Sequence, residues 1–147
     1  MANNGEFLQY HYRYDRGYGV SYKELFSLKE QGKIPIIHVG KYENIIPFKQ
    51  NTKFSFLSIL IYANKNITYE RLKKRHSSKE EIEKRLKAYD EEINLLCKFN
   101  KEPLYKLSFD IIHDNNISNP KYSACELYYK IKFFEEKMKT LEELIIC

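Results

Sequence analysis

Apolar residues recur along the chain with two different spacings, and the change from one to the other predicts an order of strands and helices. FLQYHYRY near the start alternates, with Tyr10, Tyr12 and Tyr14 on one face and Gln9, His11 and Arg13 on the other, the period of two that a strand requires. In R-G-Y-G-V-S, Gly17 and Gly19 flank Tyr18 and predict a turn. Ser21 followed by Glu24 is a capping-box pattern, so a helix is expected from Tyr22 to Gln31, ending at Gly32. The run IPIIHV, Ile34 to Val39, reads as a short buried parallel strand with Pro35 at its entrance, since proline cannot donate to a ladder. Phe54 to Ala63 is a longer apolar run and predicts a buried strand. A helical pattern then runs from Thr68 through Leu72 to Arg75 and breaks at Ser77 and Ser78. It restarts with Ser78 and Glu81 as a second capping box, placing Ile82, Leu86, Tyr89, Ile93 and Leu96 on one stripe. Tyr105 to His113 predicts a final strand. Asn119 before Pro120 is an N-cap with proline at the first helical position, opening a helix to the end of the chain with the stripe Ala124, Leu127, Ile131, Phe134, Met138, Leu141 and Ile145.

Strands separated by helices of this length imply an α/β fold with a mainly parallel sheet, whose ligands bind outside the carboxyl ends of the strands. The 147 residues are one domain's worth of chain, without repeats, linkers or a shift in composition. With 43% hydrophobic and 15% aromatic residues against five Gly and four Pro, the chain can fill a core and does not read as disordered. The run Phe56 to Ala63 is broken by Ser58 and falls far short of the roughly twenty apolar residues of a membrane span. MANNGEFLQYHYR lacks the apolar stretch of a secretory signal, so a cytoplasmic location is expected and no membrane partner. Cys97, Cys125 and Cys147 form no C-x-x-C pair, and His11, His38, His76 and His113 show no ligand spacing. Buried or terminal free thiols are therefore expected, with no disulfide scaffold and no metal site.

Net charge is +5, but its distribution matters more. Between Arg71 and Lys87 eight basic residues face three glutamates, a density that fits either a local anion site or a solvated helix face. Tyr10, Tyr12 and Tyr14 have rings on which bases could stack, yet alternating aromatics on a strand are more often core, so a nucleic-acid partner is not expected.

Taken in order, N-G-E-F-L-Q-Y, R-G-Y-G-V-S with its helix, G-K-I-P-I-I-H-V, an apolar strand, E-R-L-K-K-R and E-E-I-E-K-R-L resemble the guanylate kinase family over Asn4 to Ile117. The resemblance implies an incomplete P-loop kinase-like, three-layer fold and ATP-dependent phosphoryl transfer to GMP or a related nucleoside monophosphate, with ATP and magnesium as the family's cofactors. It divides the single domain 1–147 into a remnant of the monophosphate-binding lobe at 4–33, core and lid at 34–117, and the C-terminal helix at 118–147. Tyr18 takes the place of the family's monophosphate-binding tyrosine and Ser21 stands near its hydroxyl residue. Arg71, Arg75 and Arg85 fall on the phosphate-contacting arginines, whose planar forks suit bidentate contact with phosphate. Asp114, with Asn115 beside it, falls at the base-contacting position near the cofactor.

The departures are specific. Gln9 replaces a glutamate that accepts from guanine, and an amide keeps one acceptor while adding a donor. His38 and Gly40 replace two aspartates. Among the five glycines none opens the loop G-x-x-x-x-G-K-[ST] that holds the triphosphate and magnesium. The chain is therefore expected to be the C-terminal portion of a longer or split kinase, inactive alone, or a non-catalytic module binding a nucleotide or a protein. The missing half, or self-association through the last helix, would complete it.

Overall fold

The computed structural model describes residues 5–13, 16–39, 42–101, 109–117 and 119–145. It is a mixed α/β structure, and the chain divides into two compact units: Met1–Phe56 with Glu92–Leu107, and Leu57–Glu91 with Ser108–Cys147.

In the first unit, β1 (Phe7–Arg13) pairs antiparallel with β2 (Arg16–Ser21). Tyr10 lies opposite Gly19, His11 opposite Tyr18 and Tyr12 opposite Gly17, with an irregularity between Phe7 and Gln9. Helix α1 (Tyr22–Glu30) starts where the Ser21 hydroxyl accepts from the Glu24 backbone N–H at 3.2 Å. It ends in a left-handed Gly32, φ 66°, with the amides of Gly32 and Lys33 bonded back to the carbonyls of Lys29 and Leu28. A 3-10 turn (Tyr42–Ile45) leads into the short α2 (Ile46–Lys49). Leu8, Leu25 and Phe48 form the buried cluster of this unit, with Val20, Tyr22, Ile37, Val39, Phe54 and Phe56 packed against it.

In the second unit, β3 (Ile59–Tyr62) pairs parallel with β4 (Ile111–Asp114), in the register Ile59 to Ile111 through Tyr62 to Asp114. Helix α3 (Lys65–Lys74) and helix α4 (Lys79–Lys101) lie between them in sequence, and the unit boundary falls within α4, after Glu91. Ser78 caps α4 through its hydroxyl and the Glu81 N–H, 3.2 Å. Helix α5 (Pro120–Ile145) is capped by Asn119, whose side-chain oxygen accepts from Lys121 N at 3.0 Å, and it packs on β4. No helix among the described residues is long and apolar enough to cross a membrane.

Several elements depart from the sequence pattern. R-G-Y-G-V-S is not a turn but β2, because its glycines serve close approach: the Tyr10 ring covers Gly17, and the Phe7 and Tyr10 rings cover Gly19. The run IPIIHV is not a strand. Ile37 and Val39 pack on the first unit's core while Ile34 and Ile36 are 85% and 98% exposed. The run Phe54 to Ala63 is split between the two units. Phe54 and Phe56 join an aromatic cluster with Phe26 and Phe48, at centroid distances of 4.8 Å for Phe26–Phe54 and 5.1 Å for Phe48–Phe56, so only Ile59–Tyr62 becomes strand. The last strand begins at Ile111, and residues 105–108 of that expectation lie outside the described residues. In place of one mainly parallel sheet the described residues form two separate pairs, one antiparallel and one parallel. Cys97 and Cys125 are free as expected, but exposed rather than buried; Cys147 lies outside the described residues.

Candidate functional site

The hairpin of the first unit has two unlike faces because its side chains alternate. On one, Phe7, Tyr10 and Tyr12 lie ring to ring, with centroids 5.5 Å apart from Phe7 to Tyr10 and from Tyr10 to Tyr12. Donation between Tyr10 and Tyr12, together with lost solvent, holds the Tyr10 phenol above its ordinary range. On the other face Gln9 and His11 follow each other at the strand period, and Tyr18 stands across from His11. The Gln9 Nε2 donates to His11 Nδ1 at 2.8 Å, and the His11 and Tyr18 rings stack at 5.6 Å with 18° between their planes. Gln9 is only 9% exposed, whereas Tyr18 is 45% exposed. This face therefore holds an ordered amide beside an accessible phenol.

The second unit has a polar cluster at the carboxyl end of its parallel pair. The Arg71 Nη2 donates to the carbonyls of Asn115, 2.7 Å, and Ile117, 3.0 Å, tying α3 to the segment after β4. Asp114 accepts from Asn116 N at 2.8 Å, and its charge pushes the Tyr62 phenol up. Behind it His113, 1% exposed, and Ser123, 6% exposed, share a 2.8 Å hydrogen bond between Nε2 and Oγ; the Ser123 hydroxyl also donates to Asn115 Oδ1 at 2.8 Å. Glu126 bonds Lys130 at 2.8 Å, which holds its carboxyl below the ordinary range.

The site residues expected from sequence are thus distributed between two places. Gln9 and Tyr18 meet on the hairpin, and Arg71 meets Asn115 beside Asp114. Ser21 is engaged as the α1 cap, and His38 is exposed in the irregular segment. Arg75 closes α3 and is exposed. Arg85 is exposed on α4, with Glu81 Oε1 3.9 Å from its Nε. Although Arg71 and Arg75 are four positions apart, they do different things: Arg71 is half-buried and bonded, and Arg75 is at the C-cap. Gly40 lies outside the described residues. Sequence reasoning missed His11, although Gln-x-His on one strand face was a readable signal. It also missed the His113–Ser123 pair, for which no local signal exists. Among the described residues no three His, Cys, Asp or Glu side chains come together as a metal site would require. No protein-family model matches this chain, and comparison with curated proteins returns no match.

Proposed function

We propose that the chain is a nucleotide-binding module of the guanylate kinase type, laid out on a P-loop kinase-like three-layer plan and unable to transfer a phosphoryl group with these residues alone. The observation that carries this reading is the polar face of the hairpin. Gln9 and Tyr18, at the positions where the resembled family holds base and monophosphate, lie on one face and are joined through His11. An amide offers hydrogen bonds to a base edge, and a phenol on an exposed ring offers one to a phosphate oxygen. Further support comes from Arg71, Asp114 and Asn115, which gather at the carboxyl end of a parallel strand pair, where α/β folds bind ligands. The ligand is GMP or a related nucleoside monophosphate.

The residues present do not fit magnesium ATP. The 147 residues contain no G-x-x-x-x-G-K-[ST] loop, and among the described residues no three His, Cys, Asp or Glu side chains gather at the strand ends as ligands. Calorimetric titration with GMP should give binding that weakens with salt and weakens again in Tyr18→Phe and Gln9→Ala. Incubation with ATP and GMP should form no ADP above a heat-killed control. GMP affinity equal in wild type and both variants, or acceptor-dependent ADP formation, would overturn the reading.

A second reading, a protein-interaction module acting through α5, is favoured by Tyr122, Tyr129 and Phe133, which recur on one helical face at 69%, 66% and 70% exposure. Light scattering separates the two. A mass that rises with concentration and is reset by Tyr129→Ser, with no heat from GMP, would favour α5 over the hairpin.

A further inference from the structure

An amide NH2 has hydrogens to give and no lone pair to offer, so the 2.8 Å contact from Gln9 Nε2 obliges His11 Nδ1 to accept. The neutral imidazole then carries its proton on Nε2. Both groups are held in place: Gln9 is 9% exposed and the His11 ring is stacked on Tyr18. The fully enclosed polar side-chain atoms without a partner among the described residues are Asn44 Nδ2 and His113 Nδ1. Gln9 Oε1 and His11 Nε2 are not among these enclosed atoms, and neither has a hydrogen-bond partner among the described residues. The hairpin face thus presents one acceptor, the Gln9 carbonyl, and one donor, the His11 Nε2–H.

Resting on the nucleotide-binding reading, we infer that His11 is the positioning residue that turns the Gln9 carbonyl outward, and that the pair selects a ring with a lactam edge, an N–H beside a C=O. The ring N–H donates to Gln9 Oε1 and the ring carbonyl accepts from His11 Nε2–H. Guanine, hypoxanthine and uracil have such an edge; adenine and cytosine have an amidine edge, with donor and acceptor interchanged. The match needs no carboxylate, and it does not need the exocyclic amine of guanine.

Without His11 nothing would choose between the two ends of the amide, because the terminal torsion of glutamine is soft and close to two-fold.

The test uses inosine and adenosine 5′-monophosphate as probes, titrated by calorimetry into wild type, His11→Phe and His11→Asn under one buffer condition. Wild type should prefer the inosine nucleotide about fivefold, the worth of one net hydrogen bond. His11→Asn, whose Oδ1 accepts from the same direction, should keep the preference. His11→Phe keeps a ring against Tyr18 and should have none. A preference that survives in His11→Phe, or that is absent from wild type while both nucleotides bind, overturns the inference.

Nitrogen NMR of the ligand-free protein gives an arm independent of binding. In the neutral imidazole the proton should sit on His11 Nε2 and Nδ1 should be bare; a neutral ring with its proton on Nδ1 overturns the positioning role outright. Failure of both nucleotides to bind while the NMR signature is present overturns the nucleotide reading and the lactam selection with it, and supports His11 as the residue that orients Gln9.

Discussion

β1 and β2 follow each other directly along the chain, and their pairing is decided within 15 positions, from Phe7 to Ser21. β3 and β4 are brought together from far apart: Ser58 and Asp110, which close the start of the parallel pair, are 52 positions apart. The means of holding differ accordingly. The hairpin is held by its ladder and by rings lying over glycines. The parallel pair is fastened at both ends by polar side chains. At its start the Asp110 carboxylate accepts from Ser58 N at 2.6 Å and from Ser58 Oγ at 2.5 Å. At its far end Arg71 holds the carbonyls of Asn115 and Ile117, and Asn116 Oδ1 accepts from Asn64 N at 2.7 Å. Closing a long loop costs more chain entropy than closing a short one, and two four-residue strands offer few ladder bonds against it. Charged and amide groups at the ends supply what the ladder cannot.

The largest effect should come from removing the clasp at the start of the parallel pair. Asp110→Ala leaves the N–H and hydroxyl of Ser58, which is 7% exposed, without their acceptor, and should cost about 2 to 3 kcal/mol in urea denaturation. Backbone NMR shifts of β3 and β4 should move while those of β1 and β2 stay. Equal disturbance of both pairs would show that the two are not held separately.

A smaller cost is expected on the hairpin. A Cβ at Gly19 would stand 2.9 Å from Phe7 Cδ1 and 3.0 Å from Tyr10 Cδ2, so Gly19→Ala should lose about 1 kcal/mol as the rings move apart. Gly17→Ala should lose less, since it meets only the hydroxyl end of a Tyr10 ring that is 37% exposed and can swing aside.

The smallest effects sharpen the comparison at two helix ends that share one motif. α1 ends on Gly32 at φ 66°, and α3 ends on His76 at φ 55°, each followed by an amide bonded back across the last turn. A side chain in this left-handed region is strained, so thermal melting should show Gly32→Ala losing about 1 kcal/mol and His76→Gly gaining up to about 1 kcal/mol. Shifts of the same sign for both would mean that the side chains, not the backbone angle, decide these ends.

Much of the helical part of the fold was legible before the structure. Ser21, Gly32, Ser78, Asn119 and Pro120 mark helix ends through bonds made within one turn, so neighbours in sequence suffice to read them. The strands were less legible. Gly17 and Gly19 read as a turn because glycine signals both left-handed backbone and close approach, and only the rings of Phe7 and Tyr10 tell which applies. The runs at 34–39 and 54–63 read as strands because apolar stretches look alike whether they pair with a strand or pack by side chains alone. Of the site, the polar hairpin face was visible as an alternation of Gln9 and His11. The engagement of Arg71 with Asn115 and Ile117 was not, since its partners lie more than forty positions away.

The sequence by itself determined where helices begin and end, which hairpin face is polar and which aromatic, and that no glycine-rich phosphate loop is present, because each follows from residues within a turn or a strand period of one another. Tertiary structure decided the division of one apolar run between two units, the pairing of β3 with β4, and the burial of His113 against Ser123. These depend on which donor finds which acceptor, and on which ring covers which backbone, once the chain has folded back on itself; local spacing carries no record of that choice.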